Sequence, residues 1–395
     1  MAELERSLAR THCNMTARRH PQPHIVIAIP VCNEVERIVA CMEAIEAQDD
    51  GHNTAWTAGI VRSVLLTNSC TDGTYELLLR HTARWHMATT VYDVTLPRTL
   101  RNAGHARWLA NHAALDLLPA RGGMLFMTDA DSIVPPNWVA NYVSLLRAGY
   151  DAVIGRVDLC EEDCTDLPAS LRGRCEHEER YIALLDELEC LLDPVPDDPW
   201  PRHYSASGAN VALRTEVLTA IGDFPRVACH EDKCLARALE VQGCRVRHDD
   251  LTRVHTSGRL FGRAAGGMAD TLRLRSRQPH SPCDERLELA DRAHIRAHLR
   301  GTLRTAYTAG VPSFCTLMGI FEDFALDVPD WLERSIVHPF PAFWALLEQR
   351  HPSLSREAMR PEQLSGEIER AKHLLNAVRH HRMQPASVMA EEHIA

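Results

Sequence analysis

The chain has 395 residues, 45% of them hydrophobic, which is enough for one large domain with an appendage or for two domains. A formal net charge of −10 argues against a nucleic-acid binder, yet leaves room for a local basic pocket that holds a phosphorylated ligand. No apolar run reaches the roughly 20 residues that cross a bilayer, the first residues lack a signal-peptide core, and 13 cysteines without a repeated framework read as free thiols, so a cytoplasmic protein is expected.

Residues 1–22 read as a polar tail. "HIVIAIP" (24–30) then reads as a buried parallel strand, followed by a helix in "CNEVERIVACMEAIEAQ" whose Val35, Ile38, Val39, Met42 and Ile45 share one face. Asn33 and Glu36 have the spacing of an N-terminal capping pair. The pattern repeats with a strand "VRSVLLT" (61–67), a turn "NSCTDG", and a helix from Thr74 to His86. Next come "TTVYDV" (89–94), a helix near 105–118, a strand "GMLFMT" (123–128), and a helix from Trp138 to Leu146. Alternating strands and helices with short connections predict a parallel sheet covered on both faces, with ligands at the carboxyl ends of its strands.

Between that last strand and helix lies "DADS", with Asp129 and Asp131 one residue apart. If the chain stays extended, both acids point to the same side and repel unless a cation, of which a divalent metal is the obvious candidate, lies between them. The plain alternative is an acidic turn that caps the following helix.

The second half continues with a strand "DAVIGRVDL", a long helix over 168–193 and a Pro- and Asp-rich loop ending in "SGAN". A helix from Arg214 to Ile221, a helix through "KCLARALEVQG" and a strand "DLTRVHT" (250–256) follow. Beyond "SGRLFGRAAGG" the patterns are mainly helical and offer no readable motif. A zinc site from Cys160, Cys164, Cys175 and His177 is the sharpest cysteine alternative, but no tight second pair follows the first.

The ordered set "AIPVCNE", "NSCTDGT", "TDADS", "SGAN" and "HED" resembles the family 2 glycosyltransferases of the GT-A fold. The resemblance implies an α/β Rossmann-like, mostly parallel sheet flanked by helices over residues 23–265, with a mainly helical extension over 266–395. It implies transfer of a sugar from a nucleoside-diphosphate donor, UDP-linked by default, to an acceptor hydroxyl with Mn²⁺ or Mg²⁺ and inversion. A nucleotidyltransferase and a non-catalytic nucleotide-sugar-binding protein are the alternatives. The former needs a basic Gly-rich loop at the first strand, where "PVCNEVER" is acidic. Peripheral contact with a lipid-linked acceptor stays open, as does the oligomeric state.

Residue by residue, Pro30, Val31, Asn33, Glu34, Asn68 and Asp72 are the expected donor pocket, and "TNSC" departs from the acidic Gly-Ser sequence frequent in the family. Asp131 is the expected metal ligand, Asp129 holds the ribose or a metal-bound water, and His255 completes the metal site. Arg107 is either a cation for the donor phosphates or a solvated helix residue, and Arg259 and Arg263 close over the diphosphate around Gly262. Gly208, Ala209 and Asn210 border the acceptor. Asp232 is the expected general base beside Glu231, although acids at a helix start also offset the helix dipole.

Overall fold

The computed structural model describes residues 10–13, 22–48 and 60–383. Its eight-stranded sheet comprises β1 (Arg10–Cys13), β2 (Ile25–Val31), β3 (Val61–Asn68), β4 (Ala88–Val94), β5 (Met124–Met127), β6 (Ala152–Leu159), β7 (Val211–Arg214) and β8 (Val246–Thr256). The spatial order is β1-β4-β3-β2-β5-β7-β6-β8. All strands run one way except β1 and β7, which pair antiparallel to their neighbours.

The mostly parallel sheet expected from the sequence is therefore present. Its central strands are apolar on both sides because both faces are covered. Ile25, Ile27, Ile29 and Val31 of β2 join Phe126, Trp138 and Tyr142 on one face, under helices Ile38–Glu46 and Trp138–Arg147. Val26 and Ala28 join Leu125, Met127, Trp108 and Leu235 on the other, under helices Ala103–Leu115 and Glu231–Val241.

Three local expectations are corrected. Arg10–Cys13 lies inside the segment read as a polar tail, yet its backbone pairs with β4. Residues 211–214, partly read as a helix start, form β7 between β5 and β6, a strand too short to carry a periodic signal. Asn33 and Glu36 do not cap the first helix, which begins at Ile38 after Arg37 without a side-chain cap.

The chain divides into two compact units, one of residues up to Leu167 with Tyr204–Arg273 and one of Pro168–His203 with Leu274 onward. The sequence grouped 23–265 together, but residues 168–203 cluster with the C-terminal helices. The second unit is built on helices Ala169–Leu192, Ala290–Thr308 and Leu364–Met383. Buried carboxylates there are paired rather than bare, as burial of charge requires. Asp193, fully buried, meets Arg304 at 2.6 Å and also Arg300, and Glu288 meets Arg296 at 2.8 Å.

Candidate active site

The site lies in the first unit, at the carboxyl ends of β2, β3 and β5 and at the start of helix Glu231–Val241. Non-glycine residues with left-handed backbone are uncommon, and Asn33 (φ 56°), Ser69 (φ 56°) and His230 (φ 61°) all flank these ends.

Two strand-end loops are laced together. Asn33 Oδ1 accepts from the Thr71 amide at 2.8 Å, and Glu34 N donates to Thr74 Oγ1 at 2.9 Å. Asp72 accepts from the Thr74 amide and hydroxyl and from the Val35 amide. Partial burial works against its charge, but those hydrogen bonds outweigh it and hold the carboxyl below its ordinary range. Asp72 thus fixes the loops together. Asn68 is buried and accepts from Ser69 Oγ, while Val31 is buried and Pro30 partly so in β2.

The acidic motif is not an extended strand end. β5 stops at Met127, and the Ser132 amide donates to Asp129 O at 3.1 Å, closing a turn. The two carboxylates therefore diverge to separate cations instead of sharing one side. Asp129 Oδ1 lies 2.5 Å from Arg107 Nη2, whereas Asp131 Oδ2 lies 3.1 Å from Arg259 Nη2. Thr256 Oγ1 also donates to Asp131 at 3.3 Å. Burial, followed by the charge of Asp129, raises the Asp131 carboxyl to about 6 against the opposing pull of Arg259.

Arg107 is neither a solvated residue nor a cation left open for phosphates. Asn102 caps its helix by accepting from the His105 amide, and Gly104 lets the first turn press onto residues 227–228, where a Cβ would meet Val227 O at 2.0 Å. That approach carries Arg107 inside, where Nε meets Glu231 Oε1 at 2.9 Å and Nη1 donates to Gly208 O at 2.9 Å. Desolvation opposes its charge, but Asp129 and Glu231 outweigh it and strengthen the hold on the proton. Gly208 is required here, since a Cβ would sit 2.5 Å from the guanidinium carbon.

The Gly208 amide donates to Asp232 Oδ2 at 3.1 Å. One buried guanidinium and one glycine thereby connect the acidic turn with the acids that start helix Glu231–Val241. A cavity of about 20 Å³ borders Arg107, Asn111, Gly208 and Asp232, room for a water but not for a sugar.

Asn210 does not border an acceptor. It is fully buried, its Oδ1 accepts from Trp138 Nε1 (2.8 Å) and Tyr142 OH (2.7 Å), and its Nδ2 donates to Arg156 O (2.9 Å) and Thr252 O (3.0 Å). Every hydrogen-bonding position of the amide is occupied, so Asn210 is a fixture of the sheet. Ala209 is likewise buried.

His255 ends β8, and its backbone pairs with Ile133, two residues beyond Asp131. Its side chain is exposed and makes no hydrogen bond or ion pair among the described residues. No three His, Cys, Asp or Glu side chains among the described residues converge closely enough to hold a metal, so Asp129, Asp131 and His255 are not preassembled, nor are the cysteines weighed for zinc. The cysteines from Cys32 to Cys315 are free thiols. The acids at the turn nonetheless suit a hard cation that takes one or two carboxylates and completes its shell with substrate phosphate. Asp131 in particular is a buried carboxylate whose charge burial disfavours.

Arg259 forks onto Glu34, Nη1 to Oε2 at 2.7 Å and Nη2 to Oε1 at 2.5 Å, and Arg263 Nε donates to Asn33 O at 3.0 Å. Sequence reasoning missed Arg37 and Asp163, which meet at 2.9 Å. Asp163 also accepts from the Gly258 amide (2.8 Å) and Ser257 Oγ (3.0 Å), anchoring the base of the arginine loop. It missed His230 too, whose left-handed backbone turns the chain into the Glu231 helix. No local pattern marks these residues, because their partners are distant in sequence.

Residues 26–192 match the family model described as Glycosyl transferase family 2. No curated protein matches the chain. Similar solved structures include the mannosyltransferase PcManGT from Pyrobaculum calidifontis in complex with GDP-Man and Mn²⁺, at 16% identity and TM-score 0.44 over 98% of this chain and 84% of that one. S. aureus TarS in complex with UDP-GlcNAc is similar at 12% identity and TM-score 0.42, over 90% of this chain and 91% of that one. Glucosyl-3-phosphoglycerate synthase from Mycobacterium tuberculosis, in complex with Mn²⁺, UDP-Glc and phosphoglyceric acid, is similar at 20% identity and TM-score 0.38, over 70% of this chain and 79% of that one. The matched stretch, residues 26–192, carries the strand-end motifs from Pro30 to Asp131 in order and is similar to glycosyl transferase family 2.

Proposed function

We propose that the protein transfers a sugar from a nucleoside diphosphate, UDP by default, to an acceptor hydroxyl, with inversion and with Mn²⁺ or Mg²⁺. The observation that carries this reading is the junction at Arg107, where Asp129 at the end of β5 and Glu231, next to Asp232 at a helix start, meet one buried guanidinium. Carboxylates for a cation and a carboxylate for a proton are thereby held in one framework.

In this reading the loops at Pro30–Glu34 and Asn68–Asp72 receive the nucleotide, with Asn68 and Asp72 framing its base. Asp131 would hold the cation, with Asp129 and His255 the further candidate ligands. When bound, that cation neutralises the diphosphate as it leaves the anomeric carbon. Asp232 accepts the proton of the acceptor hydroxyl as its oxygen attacks that carbon. Arg107 and Glu231 position this base, and Gly208 orients it. Arg259 and Arg263 are the cations available to the leaving phosphates.

A cytoplasmic setting belongs to the same proposal and is supported by the free thiols. No helix among the described residues is long and apolar enough to cross a membrane, and contact with a lipid-linked acceptor would be peripheral. Calorimetric titration of UDP and GDP with Mn²⁺, and again after chelation, tests the reading. Binding of either nucleotide that needs the metal and is lost in Asp131→Ala supports it. Binding that survives chelation removes the metal from the proposal.

A further inference from the structure

We infer that Arg259 is a built-in counter-ion that occupies the acidic site until a divalent cation displaces it. Metal binding then exchanges one cation for another and frees the guanidinium of Arg259 for a new partner. This rests on the reading of Asp131 as a metal ligand.

The geometry is that of a cation clamped between two strand ends. The guanidinium forks onto Glu34 after β2 and reaches Asp131 after β5, with Nη2 shared between the acids at 2.5 and 3.1 Å. Both acids are largely buried, with side-chain exposures of 6% and 15%. Two such carboxylates need a positive group near them whether or not metal is present. A divalent cation on the Asp131 carboxylate would be a second positive charge beside the Arg259 guanidinium, and the two would repel.

The loop is held at both ends, and between them the guanidinium is the group free to change partner. The base of the loop is pinned where Asp163 accepts from Ser257 and Gly258. At the far end the Gly266 amide donates to Asp270 Oδ2 at 2.8 Å. Between these ends, the arginine contacts to Glu34, Asp131 and Asn33 O tie it to the acidic ends of the strands. Phe261 and Met268 stay 67% and 56% exposed, so little apolar burial holds the segment down. Displaced from Asp131, the guanidinium is free to pair with the diphosphate that arrives with the metal, since fork geometry suits phosphate as well as carboxylate. Metal alone must compete with the arginine, whereas metal with nucleotide gives the arginine a new partner.

Mn²⁺ binding without nucleotide, read by the electron paramagnetic resonance of the free ion, tests the exchange. Arg259→Gln is expected to bind Mn²⁺ at least about tenfold more tightly than the wild type. Arg259→Lys, which keeps the charge and the support it gives the fold but cannot fork, is expected between them. With saturating UDP the three affinities converge, because the wild-type guanidinium then has the diphosphate. Equal or weaker Mn²⁺ affinity in both variants, alongside UDP-dependent Mn²⁺ binding by the wild type, overturns the exchange and leaves the proposed function standing. Absence of UDP-dependent Mn²⁺ binding by the wild type overturns both.

Discussion

Asp131 should make the metal-free protein less stable at neutral pH, and Asp131→Asn should relieve that. Burial and the neighbouring Asp129 raise its carboxyl from 3.8 to about 6 in the folded chain, Arg259 only partly opposing them. At about 1.36 kcal/mol per unit, the charged form costs roughly 2–3 kcal/mol once fully ionised. The sign follows from the raised value. Below the unfolded pKa both states hold the proton and nothing is lost. Between 3.8 and about 6 the folded state keeps a proton that the unfolded chain has given up, so stability falls across that window and stays lowered above it. Asn carries no charge at any pH, so the variant lacks this slope. Scanning calorimetry in chelator at pH 4.5 and pH 7.5 should therefore show at the lower pH only about a third of the full difference, since the unfolded chain has already given up most of this proton there. At the higher pH the variant should melt about 2–6 °C above the wild type. Mn²⁺ with UDP should stabilise the wild type alone. An Asp131→Asn protein that melts at or below the wild type at pH 7.5, or a difference that does not change with pH, refutes the assignment of Asp131 as a buried charge awaiting a cation.

Asp232→Asn should bind UDP and Mn²⁺ nearly as the wild type does but lose about 10²–10⁴-fold in transfer, because an amide keeps the shape without accepting the proton. Donor affinity, melting temperature and turnover measured together would expose a purely structural helix-start role, which lowers stability and spares the folded fraction's turnover. Asn210→Ala strands Trp138 Nε1, Tyr142 OH and two backbone carbonyls, so a loss of about 3 kcal/mol or more is expected in urea unfolding. Unchanged stability with altered acceptor preference would return Asn210 to the acceptor side.

The order of elements and the strand-end motifs were legible in the sequence for a physical reason. A strand buried on both faces must be apolar throughout, as "IVIAIP" and "VLL" are, and the polar residues that follow it must lie at its end. The helix read near 105–118 lies at Ala103–Leu115, and Asp131 was legible by standing just past an apolar run. What the sequence could not decide was where each charge goes. Arg107 and Glu231 are 124 residues apart, and Arg259 and Glu34 are 225 apart. Whether a helical arginine is solvated or buried depends on which loop Gly104 allows its helix to touch. The same limit explains Asn210, whose motif position suggested a ligand while its four hydrogen bonds come from the sheet and a neighbouring helix. It explains the acidic turn as well. Alternation along an extended chain places Asp129 and Asp131 together, but strand pairing ends at Met127, and only the folded neighbours determine that one carboxylate turns to Arg107 and the other to Arg259. Local periodicity records what is buried; the partners of buried charges are set by the packing of segments far apart in the chain.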